Sequence, residues 1–267
     1  MQKIIGFIGC GNMAQAMISS LIDSQVVPVD NIIASNRTLP LKESILKERI
    51  RLTSDNVEVA SQSDYIILAV KPHIYETVLN QIKDYIKNDG VVIGIGAGVS
   101  SEFLKANLNE GTKYLRAMPN TPAMVGEGMT AICPGNRFSD EELETIIDIF
   151  SSFGRVEIVD EKVMDGVTAV SGSSPAYVYM LIEAMGDAAV LEGIPRSQAY
   201  TFAAQAVMGS AKMVLESNLH PGKLKDNVCS PGGTTIEAVA SLEKNGFRSA
   251  IIEAMKSCAD KSRKMSK

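Results

Sequence analysis

The six residues Gly9-Cys10-Gly11-Asn12-Met13-Ala14 constrain this chain more than any other stretch. They follow residues 3–8, a short, mostly apolar run that reads as a buried strand. They lead into Met13, Met17, Ile18, Leu21 and Ile22, which are spaced as one face of a helix. A strand, a Gly-x-Gly-x-x-Ala turn and a helix, in that order, open a βαβ unit that holds a dinucleotide. The first glycine permits the tight turn, and the second lets the backbone approach a pyrophosphate. Ala14 lets helix and strand pack closely, and the helix N-terminus faces the negative charge.

The same alternation continues to about residue 160. Residues 31–35, 65–70, 91–95, 113–118, 129–133 and 156–159 read as further short strands. Residues 65–70 are almost all apolar, as in a strand covered on both faces. Ser139 followed by Asp140, Glu141 and Glu142 opens a helix, with acids where the helix dipole favours them. Strands separated by helical stretches predict an α/β fold, a Rossmann-type parallel-sheet domain over residues 1–160. Over residues 161–267 the strand-like runs stop. Residues 176–191, 197–215, 235–244 and 247–264 read as helices. Pro175 sits where a first turn tolerates it, and Gly193, Gly222 and Gly246 mark element ends. Ala203, Ala204, Ala206, Val207 and Met208 make one helix apolar on more than one side. Such a helix must be buried, and so few helices cannot bury one another. An all-helical domain with a large subunit interface is expected.

Bulk properties exclude other classes. The chain has 267 residues, 45% of them hydrophobic and 21% charged, enough for two cores and too apolar for wholesale disorder. A net charge of −5 excludes a general nucleic-acid binder, which needs a basic face. It leaves room for a small anion at a helix N-terminus. Cys10, Cys133, Cys229 and Cys258 form no Cys-x-x-Cys pair, and His73 and His220 are the only histidines, so no metal site is expected. Isolated cysteines fit the reduced thiols of a cytoplasmic protein. Lys3 ahead of an apolar stretch imitates a signal peptide, but Asn12 and Gln15 interrupt it. No membrane span is expected, because no uninterrupted apolar run reaches about 18 residues.

The end of the second strand reads Ser35-Asn36-Arg37-Thr38. An NAD site usually places Asp or Glu here for the ribose hydroxyls. No carboxylate is present, while Ser35, Asn36 and Arg37 offer hydrogen bonds to a 2′-phosphate. NADPH is therefore favoured, with NADH the weaker alternative. Val70-Lys71-Pro72-His73 and residues 94–98 lie at the corresponding ends of the next two strands, where open α/β sheets bind ligands. Gly96 and Ala97 suit backbone close to a nicotinamide or ribose. Further on, Gly232-Gly233-Thr234-Thr235 opens a helix whose free amides suit a carboxylate.

The chain resembles the pyrroline-5-carboxylate reductases. The resemblance runs through residues 6–14, 69–72, 118–128 (MPNTPAMVGEG), 170–177 (VSGSSPAY), 224–235 (LKDNVCSPGGTT) and Gly246-Phe247-Arg248-Ser249. It implies hydride transfer from NADPH to L-1-pyrroline-5-carboxylate, giving L-proline in the final step of proline biosynthesis. It also implies a Rossmann domain joined to a helical domain that interlocks in a dimer, with larger assemblies of dimers common. Cofactor contacts carried over are Ile8, Gly9, Cys10, Gly11, Asn12 and Met13 at the first turn, then Ser35, Asn36 and Arg37. Asn56 follows, then Ala69, Val70, Lys71 and Pro72. Ile95, Gly96 and Ala97 come next, and Asn227 from the helical half. Substrate contacts carried over are Glu161, Gly233, Thr234 and Thr235. Catalysis falls to Thr235, whose hydroxyl suits the ring nitrogen, and to Glu161, whose charge suits a cationic imine. Thr234 is often alanine in the family, which puts the weight on its amide, and Asn36-Arg37 varies among relatives. A 3-hydroxyacid dehydrogenase would instead use a helix lysine such as Lys212, but the glycine-rich lead-in and partner asparagine are missing.

Overall fold

The run ahead of the glycine turn forms β1 (Ile5–Ile8), and the turn passes directly into α1 (Asn12–Asp23). The computed structural model describes residues 2–38, 50–136 and 138–265. Seven further strands follow: β2 (Ile32–Ser35), β3 (Arg51–Thr53), β4 (Tyr65–Leu68), β5 (Val91–Gly94), β6 (Lys113–Met118), β7 (Gly128–Pro134) and β8 (Gly154–Ile158). All eight make one sheet in the order β3-β2-β1-β4-β5-β6-β7-β8. Every neighbouring pair is parallel except β6 and β7. The order runs outward from β1 to β2 and β3 on one side and to β4 onward on the other. The chain therefore leaves the C-terminal ends of β1 and β4 in diverging directions, which opens a crevice between them.

Every residue of β1, β2, β4 and β5 is buried, because helices cover both faces of the sheet. One face packs Ile5, Phe7, Ile67 and Ile93 against Met17 and Leu21 of α1 and against Phe150 of α5 (Asp140–Ser151). The other packs Ile8, Ile66 and Leu68 against Val59 of α2 (Asn56–Gln62), Tyr75 and Leu79 of α3 (Tyr75–Ile82) and Leu104 of α4 (Ser101–Asn107). Alternate residues serve alternate cores, as strand geometry requires.

Two features of the sheet depart from the sequence expectation. Strand β3 carries a single apolar residue, Leu52, and owes its conformation to pairing with β2. The β6–β7 pair is antiparallel because a short link, with a 3-10 turn over Thr121–Val125 and Gly126 at φ 76°, folds the chain straight back. A parallel pair would need a longer crossover.

Beyond β8 come the short α6 (Met164–Val167) and a π-helical turn over Thr168–Gly172. Five longer helices follow: α7 (Ser174–Leu191), α8 (Arg196–Ser217), α9 (Pro221–Val228), α10 (Thr234–Lys244) and α11 (Phe247–Met265). The chain forms two compact units, Met1–Ser173 with Cys258–Lys267, and Ser174–Ser257. The helical region starts where the sequence pattern changes, near residue 160, and its first turns belong to the sheet unit. Gly222 does not mark a helix end; it lies in the first turn of α9, where Nδ1 of His220 accepts its amide at 3.0 Å. The end of α8 is marked instead by Asn218 in the left-handed conformation, φ 57°.

Candidate active site

The C-terminal edge of the sheet is tied together by bonds running across the strands. The Gly9 amide donates to Ser35 O at 3.0 Å, and the Ala69 amide to Ile8 O at 2.8 Å. The Tyr75 hydroxyl donates to Leu68 O at 2.5 Å and accepts the Ile95 and Gly96 amides at 3.1 and 2.8 Å. These links gather Ile8, Gly9, Cys10, Gly11, Asn12 and Met13, Ser35, Asn36 and Arg37, Ala69, Val70, Lys71 and Pro72, and Ile95, Gly96 and Ala97 along one edge. Asn56, at the start of α2, joins them by accepting the Ser35 hydroxyl at 2.7 Å, while its own amide donates to Gln81 at 2.9 Å.

The two glycines of the first turn are small for different reasons. Gly9 has φ +92°, and a Cβ there would lie 2.8 Å from Val70 and 2.9 Å from the Ala69 carbonyl, so the protein's own packing requires glycine. Gly11 has an ordinary extended backbone, φ −80° and ψ −173°, and a Cβ there would meet nothing within 4 Å among the described residues. Packing does not explain it. It is the N-cap of α1 and supplies no side-chain cap to the first-turn amides, and the space its Cβ would take is open among the described residues. That space suits a pyrophosphate. Cys10 beside it is a buried thiol whose pKa burial pushes up to about 11, which keeps it neutral.

At the end of β2, Asn36 and Arg37 stand outside the core, with the Asn36 side chain donating to Thr38 O at 2.9 Å. No carboxylate stands among residues 35–38.

Glu161 sits in a short 3-10 turn within the sheet unit. One carboxylate oxygen pairs with Arg116 of β6, and the other accepts the Ser101 hydroxyl at 2.6 Å. Arg116 is only 2% exposed, and its Nε and Nη2 are buried without a hydrogen-bond partner among the described residues. Nearby, the Cys133 thiol is pushed up by burial and by the Glu161 charge, with Ser101 and Arg116 opposing more weakly.

In the helical unit, Asn227 lies in the last turn of α9, and Gly233, Thr234 and Thr235 form the start of α10. Gly232 has φ +66°, a conformation that favours glycine. A Cβ on Gly233 would lie 2.3 Å from the Ser230 hydroxyl oxygen, and the Gly233 amide already donates to Ser230 O at 3.0 Å. Gly233 shapes the turn, and the first-turn donors beyond it are the amides of Thr234 and Thr235. Lys212 is exposed and pairs with Glu216 one turn along α8.

Residues 161–265 match the family described as pyrroline-5-carboxylate reductase dimerisation, and residues 4–98 match that described as NADP oxidoreductase, coenzyme F420-dependent. The pyrroline-5-carboxylate reductase of Escherichia coli (strain K12) is 52% identical over 270 aligned positions that span all of both chains. The chain belongs to the pyrroline-5-carboxylate reductase family. Among solved structures, Plasmodium falciparum pyrroline carboxylate reductase with NADP bound superposes with TM-score 0.90 at 34% identity, covering 99% of this chain and 98% of that one. The Coxiella burnetii pyrroline-5-carboxylate reductase gives 0.91 at 32%, covering all of both.

Three residues of this reductase escape a reading of its sequence. Tyr75 looks like a core residue of an amphipathic helix, and Ser101 like a helix-start serine. Arg116 carried a signal, a charge inside the otherwise apolar end of a strand, that points to a buried partner.

Proposed function

We propose that this protein reduces L-1-pyrroline-5-carboxylate to L-proline with NADPH, the final step of proline biosynthesis, and that NADH serves more weakly. Full-length kinship at 52% identity carries this reading, and the open space at Gly11 supports a nucleotide at the first turn. When bound, the reduced nicotinamide supplies the hydride. The protein's part is then mainly to hold and orient, since a protonated cyclic imine is already electrophilic.

In this reading the α1 amides at Gly11, Asn12 and Met13 take the pyrophosphate, flanked by Ile8, Gly9 and Cys10. Ser35, Asn36 and Arg37 take the 2′-phosphate, with Asn56 behind Ser35. Ala69, Val70, Lys71 and Pro72 line the crevice beside β1, and Ile95, Gly96 and Ala97 face the nicotinamide half. Asn227 is a further proposed cofactor contact. The Thr234 and Thr235 amides hold the substrate carboxylate on the turn that Gly233 shapes, and the Thr235 hydroxyl orients the ring nitrogen. Glu161, fixed by Arg116 and Ser101, contributes negative charge favouring the cationic imine. The helical unit forms a homodimer, and dimers assemble further. All four cysteines are free, in keeping with a reducing cytoplasm. Among the described residues no helix is long and apolar enough to cross a membrane.

The test is NADPH oxidation on adding pyrroline-5-carboxylate, with proline identified as product and the assay repeated with NADH. Stoichiometric proline and a higher kcat/KM with NADPH are expected. A protein that binds NADPH yet turns over no cyclic imine would overturn the proposal.

A further inference from the structure

We infer that Tyr75 is a positioning residue that sets the turn after β5 against the nicotinamide half of the cofactor. Its hydroxyl lies wholly inside the sheet unit, with Tyr75 0% exposed. Both amides that reach it are donors, so its own proton goes to Leu68 O, and the bonds are 2.5 Å outward and 3.1 and 2.8 Å inward. One oxygen thus joins the end of β4 to the two amides that follow β5. Residues 69–72 continue from the first end and residues 95–97 from the second, and both are proposed cofactor contacts. Among the described residues the Ile95 amide's alternative acceptor is Leu68 O, at a long 3.5 Å. The fit is also tight in shape: a Cβ on Gly96 would lie 3.0 Å from the Tyr75 ring and hydroxyl. Glycine at 96 and tyrosine at 75 therefore determine one another. Burial raises the phenol's pKa above its ordinary value, so the neutral O–H that the bonding pattern needs is the form present.

Phenylalanine fills the same volume and removes only the oxygen, leaving the Gly96 amide buried without its acceptor. The turn then loses its fixed distance from β4, while the first turn and the Ser35–Arg37 segment keep theirs. The inference rests on residues 95–97 facing the nicotinamide, so binding measurements must separate the two ends of the cofactor.

Full-length Tyr75→Phe is titrated with NADPH and with 2′-phospho-ADP-ribose, which lacks the nicotinamide. NADPH binding is expected to weaken about ten-fold, with the fragment unchanged within about two-fold. The Gly96 amide in cofactor-free protein should exchange faster with solvent, and kcat should fall more than KM for the imine. A Val78→Ala control removes core volume from the same helix and should leave the ratio of the two affinities as in wild type. Equal weakening of NADPH and fragment, or no weakening of either, overturns the inference. If Tyr75→Phe does not fold, Gly96→Ala presses the turn off the same ring and must show the same selective loss, and an unchanged ratio there overturns the inference too. Wild type that binds NADPH but reduces no cyclic imine removes the proposed reaction, while the affinity ratio still decides the role of Tyr75.

Discussion

Arg116 carries a full charge into the sheet unit, and its ion-pair partner is Glu161. Desolvating a guanidinium costs several kcal/mol, which a paired carboxylate offsets and a missing one does not. Glu161→Ala should therefore lower the free energy of unfolding by about 3 kcal/mol, with the exposed side of Glu161 tempering the loss. Urea denaturation of the pure protein measures it, and loss of activity with unchanged stability would mark Glu161 as a substrate contact alone. At the two ends of the proposed site the predictions are kinetic. Arg37→Ala should raise KM for NADPH by about ten-fold and leave KM for NADH nearly unchanged, if a charge-assisted bond to the 2′-phosphate is lost. Equal changes would show that Arg37 does not read that phosphate. Thr235→Ala should lower kcat/KM by about ten- to a hundred-fold, on the order of 1.4–2.7 kcal/mol. Steady-state rates equal to wild type would remove the hydroxyl from the mechanism. The Gly9 turn between β1 and α1 was legible in the sequence because its geometry is local, set by neighbours along the chain. The role of Tyr75 was not, because the two amides it accepts lie 20 and 21 residues away and only the sheet brings them to it; Arg116 signalled a buried partner, but not that the partner is Glu161, 45 residues along the chain.

Elements were legible where their signals are local too. Helix α5 starts where Ser139 and the acids after it predict, and its reciprocal capping box closes with Ser139 accepting the Glu142 amide at 3.2 Å and Glu142 accepting the Ser139 amide at 2.8 Å. Glu142 also pairs with Lys113 of β6, which ties the helix start to the sheet. Partial burial raises the Glu142 pKa, but the bonds from Lys113 and Ser139 outweigh it and hold the carboxyl below its ordinary value. A depressed carboxylate stabilises the fold above its unfolded pKa, and the contribution is lost as pH falls through the folded one. Glu142→Gln should therefore be less stable than wild type at pH 7, and the difference should shrink as pH drops below the ordinary glutamate range. Thermal melts across that range decide it, and a pH-independent difference would show that the charge is not the cause. Helix α9 escaped the sequence reading for the opposite reason. Its apolar residues are Leu224 and Val228, too few to make a stripe. It forms because Pro221 suits the first turn and His220 caps it.

At the scale of the whole molecule, the helical unit presents a surface that a lone chain cannot keep. Gly186 is the one buried residue of α7, while Val178, Tyr179, Met180 and Leu181, successive around the helix, are all exposed. On α8, Phe202, Met208, Met213, Val214 and Leu215 are exposed as well. Scattered apolar side chains are normal on a surface, but contiguous ones on all sides of long helices mark an interface. Within the unit, α7 and α8 hold to each other through close contact, since a Cβ on Gly186 would lie 2.5 Å from the Tyr200 ring, and through the Arg196–Asp187 ion pair at 2.5 Å. That pairing leaves their outer faces uncovered within the unit, and another copy is the proposed occupant. The all-round apolar pattern was readable from residues 203–208, whereas the geometry of the proposed assembly depends on more than one chain and is written in no single run of residues. Light scattering at micromolar concentration should give a mass of at least twice the 28.6 kDa of one chain. Met180→Glu combined with Phe202→Glu should shift it towards 28.6 kDa, because unpaired charges buried at an interface cost several kcal/mol. If folding and assembly are coupled as this surface requires, the wild-type Tm rises with protein concentration and that of the double variant does not. A wild type that stays monomeric, with a Tm independent of concentration, would leave the helical unit stable alone and remove the dimer from the account.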